Sequence, residues 1–203
     1  MKKKGFFISI EGLEGSGTSS VIKFITKLLR KKKASFKVYR EPGSTKVGEK
    51  IRKILLDKKN KNLSAHTELL LYLAARTQLI EEKLKKDLKK YDFILCDRFF
   101  DSTLAYQGFA LGLGKIVEES VAMFSLGIAP NLTLVLDIPP KSGLARLKNK
   151  DRIESRALSF HNRLRNGYLQ LAKKYPTRVK IVDACDSLPQ IYQRVEKQLK
   201  RVF

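Results

Sequence analysis

The N-terminal end of the chain restricts the fold more than any other segment. Phe6 to Glu11 (FFISIE) is an apolar, β-prone run. Gly12-Leu13-Glu14-Gly15-Ser16-Gly17-Thr18-Ser19 follows, and Val21 to Leu29 then carries apolar residues at helical spacing. A buried strand, a glycine-rich turn and a helix in direct succession form the start of a βα unit. The glycines let backbone amides surround an anion, and the helix N-terminus adds partial positive charge, so the junction is a candidate phosphate-binding loop. Ser19 stands where a hydroxyl would reach a magnesium ion. The usual pattern carries lysine after the last glycine, and this chain has Thr18 there. Taken alone, the three glycines also describe a tight structural turn.

The rest of the chain repeats the alternation of strand and helix. Strands are expected at 36–39, 93–96, 132–138 (LTLVLDI) and 179–182. Helices are expected at 47–56, 68–88, 117–126, 141–148, 158–175 and 188–202, with a charged segment, KNKDRIESR, between two of them. The strands are continuous apolar runs, as strands covered on both faces should be, so the expectation is a parallel sheet flanked by helices. No repeat or long linker divides the chain, and 203 residues suit a single domain spanning 1–203.

Composition limits the class. Cys96 and Cys185 are too few for a disulfide framework and lack metal-ligand spacing. No apolar run approaches a membrane span, and the basic N-terminus is followed by too short an apolar stretch for a signal peptide. A soluble cytoplasmic domain is the expectation. The net charge of +22 admits a nucleic-acid-binding reading. The lysine runs (Lys2 to Lys4, Lys31 to Lys33, Lys58-Lys59, Lys85-Lys86, Lys89-Lys90, Lys173-Lys174) are scattered, mostly at helix ends where cations suit the macrodipole, so a solvated surface with no specific nucleic-acid partner is favoured.

Further segments fall in order: Arg40-Glu41-Pro42-Gly43-Ser44-Thr45, Leu73-Ala74-Ala75-Arg76, Cys96-Asp97-Arg98-Phe99, Asp101 to Gly108 (DSTLAYQG), Pro130 to Asp137 and Asp151-Arg152-Ile153-Glu154. Read as chemistry alone, Asp97-Arg98 at a strand end is a phosphate grip or a structural ion pair. Tyr72 and Arg76 share a helix face, as do Thr103 and Gln107. Tyr72 also reads as core, and Arg40 and Arg52 as plain surface. Together with GLEGSG, this set closely resembles the bacterial thymidylate kinase family, over almost the whole chain.

The resemblance implies a P-loop nucleoside monophosphate kinase fold with a short lid at about 148–157. It implies ATP and dTMP as substrates, Mg2+ as cofactor, dTDP and ADP as products on the way to dTTP, and a homodimer. By the same resemblance, residues Gly12 through Ser19 and Arg146 serve ATP, with Arg146 stacking on adenine. Arg98 grips the dTMP phosphate, and Asp97 with Ser19 orders magnesium. Glu14 accepts from the deoxyribose 3′-hydroxyl, Tyr72 stacks on the base, and Arg76, Thr103 and Gln107 read its edge. Tyr106 crowds the 2′ position, and Arg40, Glu41 and Arg52 lie near the acceptor. Gly15 is uncharged, so the lid is expected to supply the catalytic cation, from Arg152 first and Arg156 second. His66 and His161 are expected as helix or cap residues. Thr18 departs from the pattern, since a hydroxyl donates a hydrogen bond but neutralises no charge. A nucleotide-binding homologue of weak or absent turnover is therefore the alternative reading, and a basic nucleic-acid-binding protein the second.

Overall fold

The computed structural model describes residues 5–200 and 202, so the run Lys2 to Lys4 lies outside the described residues. Among the described residues, five parallel strands form one sheet in the order β2-β3-β1-β4-β5. They are β1 (Phe6–Gly12), β2 (Phe36–Arg40), β3 (Phe93–Asp97), β4 (Leu132–Asp137) and β5 (Val179–Asp183). The first strand is central, pairing Phe6 with Phe93 on one side and Ile8 with Leu132 on the other.

Alternation along the strands sends side chains to two cores. Ile8, Ile10, Leu95, Leu134 and Leu136 pack under α1 (Thr18–Lys31) and the C-terminal helix α9 (Leu188–Leu199). Phe7, Ile94, Cys96 and Val135 pack on the opposite face. That face is covered by α3 (Ala65–Leu79), α6 (Lys115–Phe124) and α8 (Leu158–Lys174). Each core removes large aliphatic side chains from water at about 1.5–3 kcal/mol apiece, which sets the two-sided burial of the sheet. The helices α2 (Lys46–Leu56) and α7 (Pro140–Ala145) flank the carboxyl ends of the strands.

Three elements differ from the periodicity. The helix expected over 68–88 starts earlier, capped by Ser64, and passes through a π-helical turn at Ile80–Leu84 into a short α4 (Lys85–Asp87). The helix expected over 141–148 ends at Ala145, and residues 146–157 are irregular. DSTLAYQG, for which the sequence offered only the shared helix face of Thr103 and Gln107 and no bounded element, is helical: α5 (Phe100–Thr103) runs into a π-helical stretch at Leu104–Ala110.

Candidate active site

Parallel strands end on one side of the sheet, and crevices there are the usual ligand sites of open α/β folds. Here the ends of β1, β2 and β3 open into a cleft of about 260 Å³, closed by α3, the Leu104–Ala110 stretch and residues 151–154.

At one end of the cleft lies the loop after β1. Gly15 has φ +73°, and a Cβ on it would sit 2.1 Å from the carbonyl oxygen of Gly143 in α7, so only glycine fits. Gly17 is left-handed, and α1 begins at Thr18 with no side-chain cap and no acid in its first turn. Its orphan N–H groups are therefore left for an anion. Ser16 Oγ is buried without a hydrogen-bond partner. Thr18 is half-buried and Ser19 exposed, and both line the cleft. Arg146 is exposed and reaches back to the loop, donating to Gly15 O at 3.1 Å.

Arg98 follows β3 directly, in the left-handed region at φ 69°, with its N–H held by Ile10 O at 2.9 Å. A non-glycine residue there is strained, a condition that clusters at functional sites. Its guanidinium donates to Gly12 O (2.8 Å), stands 3.5 Å from Glu14 Oε1 and lies 5.2 Å from the centre of the Tyr106 ring. Burial pulls the guanidinium down, but Tyr106, Tyr168, Glu14 and Glu11 outweigh it and hold it well above its usual range. Glu14 also accepts from Tyr106 Oη. Burial favours its neutral form, yet His161, Arg98 and Tyr106 hold its carboxyl below the ordinary value. Asp97 lines the cleft beside Arg98, and its carboxylate carries no hydrogen bond or ion pair among the described residues.

The far wall is a buried polar row. Arg76, 1% exposed, donates from Nε to Glu41 Oε2 and from NH2 to Thr103 Oγ1, both at 2.8 Å, and its NH1 is buried with no partner. Burial pushes the Glu41 carboxyl up to about 7 against the pull of Arg76. Tyr72 and Gln107 line the same wall. Arg52 lines the cleft and donates to Pro42 O at 3.1 Å. Arg40 lines its rim, paired with Glu49 at 3.0 Å.

The structure thus brings the expected residues together, with two qualifications of position. Arg146 leans over the glycine loop from outside. Arg152, expected to bring charge to that loop, does not point there. Its Nε donates to Leu55 O (2.6 Å) and its NH2 to Glu68 (2.5 Å), while Asp151, Ile153 and Glu154 line the cleft. Arg156, the second choice, is also on Glu68, at 2.7 Å. The physical reason is Glu68, a fully buried carboxylate that requires cationic partners.

Glu11 was given no role from the sequence, and His161 was expected only as a helix or cap residue, which its place in α8 bears out; both stand at the site. Glu11, at the end of β1, accepts from Phe99 N–H (2.7 Å) and Ser102 Oγ (2.5 Å), so it holds the segment that follows Arg98. Its signal was an acid ending an otherwise apolar strand. His161 is buried in α8 with Nδ1 3.6 Å from Glu14 Oε2. Its signal was a histidine in the apolar row of Leu164, Tyr168 and Leu171.

An all-parallel sheet with a glycine loop after its central first strand, an uncapped helix beyond it and an arginine-lined cleft opposite defines a nucleoside monophosphate kinase of the P-loop class. Two curated bacterial proteins named thymidylate kinase are each 41% identical to the chain. The one from Thermoanaerobacter sp. (strain X514) aligns over 98% of both chains, and the one from Clostridium novyi (strain NT) over 97% of this chain and 99% of its own. A crystal structure of thymidylate kinase from Ehrlichia chaffeensis superposes with a TM-score of 0.79 over 97% of this chain and 99% of that one, at 26% identity. The thymidylate kinase family model matches residues 10–195, and the chain belongs to that family.

Proposed function

We propose that the protein transfers the γ-phosphoryl group of ATP to dTMP, giving dTDP and ADP. The observation that carries this reading is the free NH1 of Arg76. It is a buried donor with no protein partner, on the cleft wall with Thr103 and Gln107. Such a donor fits a carbonyl at the 4-position of thymine, and an amino group there would leave it unpaired.

The uncapped start of α1 and the loop amides bind the ATP phosphates. Arg98 holds the dTMP phosphate as a bidentate partner. An oxygen of that phosphate attacks the γ-phosphorus, the bond from it to the β,γ-bridging oxygen breaks, and ADP departs with the electron pair. This transfer is catalysed mainly by positioning and charge. Glu14, held ionised by its neighbours, receives the 3′-hydroxyl, and Tyr106 packs against the sugar. The unpaired Asp97 carboxylate and the Ser19 hydroxyl are hard oxygen donors of the kind Mg2+ takes alongside phosphates. Mg2+, when bound, neutralises phosphate charge. Residues 148–157 form the lid, and Arg146 meets the adenine.

Family membership favours the enzyme over the nucleic-acid-binding reading. A homodimer is supported by the exposed Leu70 and Ala74 on α3 and Met123 and Phe124 at the end of α6. Phe124 meets α3 where Thr77 Oγ1 donates to its carbonyl (3.3 Å).

The test is an ADP-release assay with ATP, Mg2+ and a panel of nucleoside monophosphates. Turnover is expected to depend on dTMP and to exceed that with dCMP by at least about 100-fold, given the penalty of an unpaired buried donor. Equal turnover of dCMP and dTMP would overturn the reading.

A further inference from the structure

Glu68 has no role in the chemistry above, yet it is fully buried and saturated by partners from separate parts of the chain. Its Oε1 accepts from Gln107 Nε2 at 2.9 Å. Its Oε2 accepts from Arg152 NH2 at 2.5 Å and Arg156 NH2 at 2.7 Å. It lies on α3 one turn before Tyr72 and two before Arg76, so it ends the row that walls the base side of the cleft.

A glutamine amide has a donating and an accepting end. The carboxylate of Glu68, with two guanidiniums on one oxygen, is an acceptor. Its other oxygen therefore requires the NH2 end of Gln107. The reversed amide would set two acceptors 2.9 Å apart in a buried site, where repulsion is poorly screened. With Nε2 turned to Glu68, the carbonyl Oε1 is the end of the amide left without a protein partner among the described residues, on a side chain that lines the cleft.

We propose that Glu68 is the positioning residue for base selection. It locks the Gln107 amide with its oxygen toward the cleft, so that the site takes a pyrimidine carrying N3–H and rejects one with a lone pair at N3. Thymine and uracil have that N–H, and cytosine does not. Arg152 and Arg156 serve the same end by anchoring the carboxylate. One buried acid thus ties residues 152–156 to the base pocket. The inference rests on the reading that Gln107 meets the base edge.

The experiment compares kcat/KM for dTMP and dCMP, and their competitive binding, in the wild type and in Glu68→Gln, with thermal melting as the check on folding. A glutamine at 68 offers either end, so Gln107 is free to turn. The dTMP to dCMP ratio is expected to fall at least about tenfold, through a higher KM for dTMP and a lower one for dCMP. In a Gln107→Ala background the second substitution should leave the ratio where Gln107→Ala alone puts it. Where Glu68→Gln does not fold, Glu68→Asp keeps the charge for the arginines but ends one methylene short of Gln107, and should lower the ratio in the same direction. A folded Glu68 variant that discriminates as well as the wild type overturns this inference alone, as do effects that multiply in the double variant. A wild type that binds dTMP and dCMP equally overturns it together with the reading of the base pocket.

Discussion

Thr18 opens α1 at the position where a lysine would place a charge on the β,γ-phosphates, and the residues expected to compensate, Arg152 and Arg156, are engaged by Glu68. Thr18→Lys is therefore expected to raise kcat by on the order of 10²-fold with little change in the KM for dTMP, because a cation at a developing charge acts on the transition state more than on bound acceptor. Steady-state kinetics decide it, and a fall in kcat with the fold intact would show that no cation is missing. At this scale the sequence was readable where function depends on residue type in a short pattern. Arg76, Arg98, Thr103, Tyr106 and Gln107 all line the cleft. It was not readable where a contact joins distant segments. The pairing of Glu68 with Arg152 and Arg156 depends on how residues 146–157 lie across α3. No local pattern encodes that, although Glu68 shares the helical row of Tyr72 and Arg76.

The short helix α7 is an extension of the phosphate loop as much as an element of its own. A Cβ on Gly143 would sit 2.4 Å from Glu14 O, and one on Gly15 would strike Gly143 in return, so the two backbones lie in contact. Gly143→Ala is expected to push the loop out of shape. It should raise the KM for ATP about tenfold or more and destabilise the fold by about 1–3 kcal/mol, the usual range for overpacking. An unchanged KM for ATP would show that the loop yields without loss. Periodicity located the strands well because a doubly covered strand is a plain apolar run, as in LTLVLD. It carried the helix over 68–88 without marking its π-helical turn, and it drew no element over 104–110. The turn at Ile80–Leu84 inserts an extra residue into a helix of ordinary period, and Leu104–Ala110 mixes glycine, glutamine and tyrosine on a face that serves the cleft as well as the core.

The whole molecule carries a buried acid in its central strand, and its stability should record it. Burial, then the charge of Asp101, pushes the Glu11 carboxyl from 4.5 to about 7, against the donors Ser102 and Ser9. The folded state therefore holds a proton that the unfolded chain gives up near pH 4.5. Stability from this group is full below about 4.5 and is lost as pH rises through about 7. The loss is worth about 3 kcal/mol across that window. Urea unfolding at pH 5 and pH 8 should show the wild type weakening relative to Glu11→Gln, and parallel pH profiles would exclude the linkage. The sheet order has a consequence for synthesis as well. Although β1 is made first, Phe6 pairs with Phe93 and Ile8 with Leu132, so neither flank exists until those residues have emerged. At about 5–20 residues per second this takes on the order of ten seconds, during which FFISI has nothing of its own to pair with. Such a run is prone to cross-chain pairing, and Lys2, Lys3 and Lys4, which precede it in the sequence with only Gly5 between, are charges of the kind that disfavour such pairing.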